Sequence, residues 1–159
     1  MGMRRPWNLV NCPVYSLATY EEGKVNMNIC TYVTAVSMKP KLYTIAVYQN
    51  TKTLDNLNKS QYAVLQLLRS PHAELIRLLG KTSGQKVNKA QKLEEKNWLI
   101  NWKGWPVLKE AAAYLLLEKQ HLQITGDHHS FLFSVKTYST KNDQDLLMFQ
   151  DLIDQKIIL

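Results

Sequence analysis

From Val25 to Leu68 the sequence alternates between extended and helical patterns, with no linker long enough to separate one domain from another. Residues Ile29 to Ser37 are rich in Thr and β-branched side chains, and Leu42 to Tyr48 alternates in the manner of a half-buried strand. Met38-Lys39-Pro40-Lys41 separates the two runs, because Pro40 has no N–H to give to a ladder. Gln49-Asn50-Thr51-Lys52-Thr53 follows, offering amides, hydroxyls and an ammonium just before a short helix expected from Leu54 to Lys59. Thr53 is its expected N-cap, and the free amides behind such a cap form an anion site. Tyr62 to Leu68 returns as a mostly apolar strand. Two strands walling a phosphate-sized loop suit a flat ring with a phosphate tail.

The flanking residues extend this pattern in both directions. Pro13 to Tyr20 reads as the first strand, and Glu21-Glu22-Gly23-Lys24 as the turn into the long strand that begins at Val25. Ser70-Pro71 opens a helix with Ser70 as N-cap, Pro71 at its first position, and Leu75, Ile76, Leu78 and Leu79 as its apolar stripe. Gly80 is expected to end it, and His72 to face solvent. Lys81 to Lys86 is a basic loop where Gly84 lets a phosphate approach the backbone. After a helix over Ala90 to Lys96, Trp98, Trp102 and Trp105 cluster as the edge of a core or a subunit interface, in preference to a stacking platform. Gly104 to Leu108 turns into a long strand or hairpin over Ala111 to Ile124, and Phe131 to Tyr138 alternates as another strand. Asp145, Leu146, Leu147, Phe149, Leu152 and Ile153 recur at helical spacing, so a tail helix is expected to dock on the rest or across a dimer.

A chain of 159 residues can bury a real core, and the expected organisation is one domain over 1–159 with an N-terminal arm at 1–12 and a helical tail at 141–159. Hydrophobic residues at 45% with 21% charged describe a globular chain. The longest apolar runs fall far short of the ~20 residues that cross a bilayer, and residues 1–10 lack the apolar core of a secretory signal. No membrane partner is expected. Cys12 and Cys30 fit no metal spacing and read as free thiols of a reducing cytoplasm, so the expected location is cytoplasmic. The net charge of +7 is accounted for by residues 52–109, with eleven Lys/Arg against four Asp/Glu. Such a face is either simply solvated or attracts anionic cofactors. No helix-turn-helix, zinc finger or aromatic RNA-binding signature accompanies it, so no nucleic acid is expected. Neither G-x-G-x-x-G nor a P-loop is present, so any nicotinamide cofactor binds outside a Rossmann domain. Adjacent His128 and His129 point to opposite faces of a strand and make a poor metal pair; no metal is expected.

The chain resembles the flavin reductase-like family, which has the FMN-binding split-barrel fold. The resemblance is carried by NICTYVTAVS, MKPKLYTIAV, the Asn-Thr-Lys-Thr loop, SQYAVLQLL, LGKTSGQKVNKAQKL, KGWPVLKEAAAYLLLE and TGDHHSFLFSV, in that order, from about Pro13 to Val135. Family members often show a double proline where this chain has Lys39-Pro40-Lys41. The resemblance implies a mainly β fold with peripheral helices, a Greek-key-like six-stranded antiparallel barrel, and a homodimer with each flavin site near the subunit boundary. It implies FMN as cofactor and NADH or NADPH as electron donor. On it, Asn28, Cys30, Thr31 and Tyr32, with Ser37 further along the strand, are neighbours of the ring or ribityl chain. Asn50, Thr51, Lys52 and Thr53 form the phosphate loop, and Ser83, Gly84 and Lys89 lie beside the flavin. The Gly-Asp-His sequence at 126–128 brings His128 toward flavin and nicotinamide. Read without the resemblance, Cys30 is a small buried hydrophobe, Thr31 a strand residue and His128 a turn histidine capped by Asp127.

Three functions are compatible with this reading. The first is an NAD(P)H-dependent flavin reductase transferring hydride from nicotinamide to FMN. The second is an electron-transfer flavoprotein that holds FMN without a nicotinamide site. The third is a non-catalytic split-barrel module for another ligand such as haem. The flavin carries the hydride chemistry, so no catalytic triad is required, and none is present.

Overall fold

The run that begins at Val25 is broken in its middle, and the break closes the sheet. The structure, a computed structural model, describes residues 2–158. Its strands are β1 (Tyr15–Glu21), β2 (Lys24–Met27), β3 (Val33–Ser37), β4 (Leu42–Tyr48), β5 (Tyr62–Leu67), β6 (Leu99–Trp102), β7 (Trp105–Leu108), β8 (Ala113–Thr125) and β9 (His128–Thr140). The α-helices are α1 (Lys52–Lys59), α2 (Lys89–Glu95) and α3 (Phe149–Asp154). Seven strands form one antiparallel sheet in the order β2-β1-β5-β8-β9-β4-β3, and β6-β7 is a separate hairpin. The first and last strands of that order are consecutive in the chain. Between them Cys30 exchanges two backbone bonds with Tyr15, at 3.0 and 2.8 Å, and Ala46 gives its N–H to the Tyr32 carbonyl at 3.0 Å. The Asn28 side chain accepts the Leu17 N–H at 2.9 Å, standing in for a backbone carbonyl where the ladder breaks. With β2 and β3 counted as halves of one segment, the seven strands make the six walls of an antiparallel barrel.

Two cores lie on opposite sides of β1 and β5. Leu17, Ile45, Leu65, Leu117, Phe131 and Phe133 fill the barrel, closed at one end by Leu54 and Leu57 of α1. Ala18, Tyr20, Val64 and Leu68 face outward onto Leu75, Leu79, Leu93, Trp98, Trp102 and Leu147. Strands buried on both faces require consecutive apolar residues, which is why Tyr62 to Leu68 lacks a polar alternation. The exception, Gln66, is satisfied: its side chain donates to Ser16 Oγ at 3.3 Å and accepts the Leu108 N–H at 2.6 Å. Trp98 and Trp102 belong to this outer core, and Trp105 packs on Tyr20 with ring centroids 4.9 Å apart. Cys12 and Cys30 are free thiols. Among the described residues, no helix is long and apolar enough to cross a membrane.

Several local expectations are corrected. The helix after the polar loop starts at Lys52, not Leu54, and its N-cap is Thr51, whose Oγ1 accepts the Leu54 N–H at 3.2 Å. Thr53 is instead buried, where its hydroxyl accepts from Asn26 at 3.4 Å. The expected helix from Ser70 is a 3-10 turn, Ser70–Leu75, followed by a π turn, Arg77–Lys81, that carries Gly80 within it. His72 is buried, not solvent-facing. Its Nδ1 accepts the Arg69 N–H at 2.9 Å, so Nε2 carries the proton and donates to the Lys109 carbonyl at 2.9 Å. The tail is only partly helical. Leu146 and Met148 form bridges to Arg69 and Pro13, and Leu147 accepts the Val14 N–H and donates its own to the Leu68 carbonyl, so the run extends between the residue before β1 and the residue after β5 before α3 begins.

Phe133→Ala, which empties a fully buried site in the barrel, is expected to lower the unfolding free energy by about 3–5 kcal/mol. Tyr138→Ala, exposed on the same strand, should stay within about 0.5 kcal/mol of the parent in urea denaturation.

Candidate functional site

The break that closes the barrel also lines a cavity of about 770 Å³, in the size range of small-molecule sites. Asn28, Cys30, Thr31 and Tyr32 form one wall, Asn50, Thr51, Lys52 and Thr53 a second, and Ser83, Gly84 and Lys89 a third, with His128 at one end. Of the residues expected at a site, Ser37 alone stands outside it: it pairs with Leu42 beyond an irregularity in the β3–β4 register. Asn26 and Tyr32 lie six residues apart on the interrupted segment, so the cavity's ends are up to about 20 Å apart at ~3.3 Å per extended residue.

One end is built for an anion. Thr51 takes the Leu54 N–H on its hydroxyl and the Asp55 N–H on its carbonyl, while its hydroxyl donates to the Tyr48 carbonyl at 2.8 Å. The amides of Lys52 and Thr53 have no protein acceptor among the described residues, and they carry the positive end of the α1 dipole. Opposite them Gly84 is pressed so closely that a Cβ there would lie 2.2 Å from Asn26 Oδ1 and 3.0 Å from Lys52 Cβ. The Lys52 ammonium is already paired with Glu21 at 2.5 Å, and Lys59 reaches the same carboxylate at 2.5 Å. Hydrogen bonds from both lysines hold the Glu21 carboxyl down at about 2.

Lys89 differs from these surface cations. Only 5% of it is exposed, and its ammonium donates to the Met27 and Leu79 carbonyls at 3.1 and 2.7 Å. No carboxylate pairs with it among the described residues. Burial pushes its pKa down from 10.5 to about 8. A buried cation without a counter-ion is costly, and an anionic ligand in the cavity it lines would supply the missing partner.

The far end is aromatic. The His128 ring lies 5.1 Å from that of Tyr32 and 5.2 Å from that of Tyr48, centroid to centroid. Its Nδ1 is 2.6 Å from Asp127 Oδ1, which fixes the ring's orientation. Tyr32 and Tyr48 are both exposed there, leaving flat apolar faces open to a planar group. Burial pushes the Cys30 thiol up to about 12 and raises that of Cys12, so neither is a thiolate nucleophile at neutral pH. Among the described residues no cluster of His, Cys, Asp or Glu can hold a metal ion.

Sequence reasoning missed some of the lining. Trp7, Val10 and Cys12 of the N-terminal segment and Phe149 of α3 reach the same cavity. Nothing local in residues 1–12 signals that return; it depends on Phe149 N–H bonding the Cys12 carbonyl and Gln150 N–H bonding Asn11 Oδ1. Asn26 was visible in principle, since two asparagines in KVNMN are unfavourable in a strand and so point to a side-chain task.

A family model described as a flavin reductase like domain matches residues 7–155. No curated protein matches the chain. The fold is similar to that of an FMN-binding protein from Thermus thermophilus, at 20% identity over 88% of this chain and 76% of that one, with a TM-score of 0.76. It is similar to an NADH:FAD oxidoreductase from Streptomyces globisporus, solved with NAD and FAD fragments, at 19% identity over 88% and 81% of the chains and a TM-score of 0.76. A flavoredoxin from Methanosarcina acetivorans matches at 18% identity over 92% and 78%, with a TM-score of 0.75.

The lowered pKa of Lys89 gives a stability test that needs no ligand. The unfolded chain keeps this proton up to about 10.5 while the folded chain loses it near 8, so folding gains stability between those values and is penalised below them. Chemical denaturation from pH 7 to 10 should show the parent gaining on Lys89→Met, by on the order of 2 kcal/mol. A constant difference across that range would mean that Lys89 titrates normally.

Proposed function

The chain belongs to the flavin reductase like family, and from that premise we propose that it is an NAD(P)H-dependent flavin reductase transferring hydride from nicotinamide to FMN. The observation that carries the proposal is one cavity with unsatisfied amides at one end, exposed aromatic faces at the other, and an unpaired buried cation in its wall. These features fit FMN. The amides of Lys52 and Thr53 suit a phosphate, and Lys89 offers charge to the anionic parts of the ligand. The peptide groups and small side chains of residues 28–32 suit the edge of a flat ring.

Bound flavin supplies the hydride-accepting chemistry, and the chain supplies position and electrostatics. The α1 amides and Gly84 would fix the phosphate and so set how far the ring reaches toward His128. His128, held by Asp127, would orient a nicotinamide against the open face between Tyr32 and Tyr48. Lys89, unbalanced by any carboxylate among the described residues, would favour a ring that gains negative charge over a neutral one. A homodimer accords with the exposed Leu122 and Ile124 on the far half of β8, apolar side chains that an isolated chain leaves in water.

The test is an anaerobic titration of the purified protein with FMN present, against NADH and then NADPH. Bleaching of the flavin band by either donor is the expected result. FMN bound but untouched by both would replace the proposal with an electron carrier. His128→Ala is expected to raise KM for the nicotinamide about ten-fold while leaving FMN affinity within about two-fold, the pattern of a residue that positions one reactant only.

A further inference from the structure

Three of the four tryptophans are used by the fold: Trp98 and Trp102 lie in the outer core, and Trp105 packs against it. Trp7 is not. It is 72% exposed, lines the cavity, and stacks on no aromatic ring among the described residues. An indole left in water forgoes a large apolar burial, and here it does so at a cavity of ligand size.

Local structure holds the side chain in that place. Trp7 is the centre of a single 3-10 turn, Pro6–Asn8, with Pro6 at its first position, where the pyrrolidine ring fixes φ. The Asn8 N–H bonds the Arg5 carbonyl at 2.9 Å and the Leu9 N–H bonds the Pro6 carbonyl at 3.1 Å, so the backbone on both sides of the indole is tied. The turn is fastened to the start of α3. The Cys12 carbonyl accepts the Phe149 N–H at 2.8 Å, Asn11 Oδ1 accepts the Gln150 N–H at 2.9 Å, and Arg4 donates to Gln150 Oε1 at 3.4 Å. The Arg5 guanidinium lies over one face of the indole at 6.0 Å from the ring centroid, the outer limit of a cation–π contact. The second face has no aromatic or cationic partner among the described residues.

The chemistry of that free face selects its partner. An electron-rich indole stacks best on an electron-poor planar system, and of the parts of FMN only the isoalloxazine ring is one. Residues 28–32 suit the edge of the ring, and a wall that meets an edge covers neither face. We propose that Trp7 stacks on the isoalloxazine ring and makes the flavin a retained group, not an exchangeable substrate, with the N-terminal arm as its clasp. The inference rests on the flavin reading of the cavity and deepens it. Release then requires the arm to move off the ring, which the few bonds at residues 4, 11 and 12 permit without opening the barrel.

The experiment measures affinity and dissociation rate for FMN and for riboflavin with the full chain, Trp7→Phe and Trp7→Ala, alongside absorbance spectra and gel filtration. Trp7→Ala is expected to release FMN at least about ten-fold faster. It should weaken FMN and riboflavin by the same factor, because the indole touches the ring and not the phosphate. The long-wavelength absorbance of an indole–flavin charge-transfer pair should be present in the parent and lost in both variants, while Trp7→Phe recovers most of the affinity. Unfolding of the ligand-free chain should not change, since the side chain fills no core. Flavin affinity and release unaltered by Trp7→Ala would overturn the inference and leave the flavin reading standing. Loss of a dimer with flavin affinity unchanged would assign Trp7 to a subunit contact, and a raised KM for NADH or NADPH alone would assign it to the donor; either result overturns the inference. Failure of the parent to bind FMN and riboflavin would sink it together with the reading beneath it.

Discussion

The closure of the barrel through residues 28–32 is the constraint on which the other features depend. A sheet whose first and last strands are halves of one segment must pair that segment with β1 on one side and β4 on the other. Cys30 satisfies the first demand and Tyr32 the second, each through its own backbone. A segment that switches partners within a few residues cannot pair at every peptide, and the intervening groups are left for something else. Asn28 covers some of the shortfall by lending its side-chain oxygen to Leu17. The remainder faces the cavity. The same geometry that removes open sheet edges, and with them the hazard of edge-to-edge pairing, leaves polar backbone exposed inside a protected cleft.

That cleft is organised around where charge is compensated and where it is not. Lys52 and Lys59 share Glu21, so the basic surface of α1 is largely neutralised at the barrel rim. Lys89 is taken out of water and given only two carbonyl oxygens. Carbonyl dipoles orient an ammonium but do not cancel its charge, which leaves a net attraction confined to the cavity. Much of the excess of basic residues between 52 and 109 is therefore surface, and one buried lysine supplies charge that water does not screen.

Much of the barrel was legible in the sequence because its strands obey local rules. The alternation of Leu42 to Tyr48 marks β4 at its observed limits, and the apolar run from Tyr62 marks β5 because both its faces are covered. The polar loop and the Ser-Gly stretch were each readable as a phosphate contact, and both line one cavity. The failures share a cause. Thr51 and Thr53 are equally good caps by type, and the choice fell to Asn26, which claims the Thr53 hydroxyl from across the fold. His72 reads as a surface residue of a first helical turn until Lys109 arrives to accept its proton. Leu146 and Leu147 belong to a run with helical spacing, yet they extend because Val14 and Leu68 offer backbone groups to Leu147 on either side. In each case a partner distant in sequence outbid a local preference, which no window of neighbouring residues can reveal.

The N-terminal segment shows how such distant contacts add to a site without any motif of their own. Trp7 is 72% exposed and stands at the cavity beside Val10, with the guanidinium of Arg5 6.0 Å from its ring. Its neighbours Met3, Leu9 and Val10 are exposed apolar side chains as well. A segment of this kind gains little by packing on its own chain, and it is tied down mainly at Asn11 and Cys12, where α3 begins. Its conformation is therefore coupled to α3 more than to the barrel. Phe149, the first residue of α3, lines the same cavity. The arm and the tail together form one wall of the cleft, joined to each other by backbone bonds, while the barrel, the start of α1 and the segment from Leu79 to Lys89 form the rest. The barrel wall is fixed by ladders on every side. The wall made by the two chain ends is held by few bonds, so it is the side of the cleft best able to adjust to what enters.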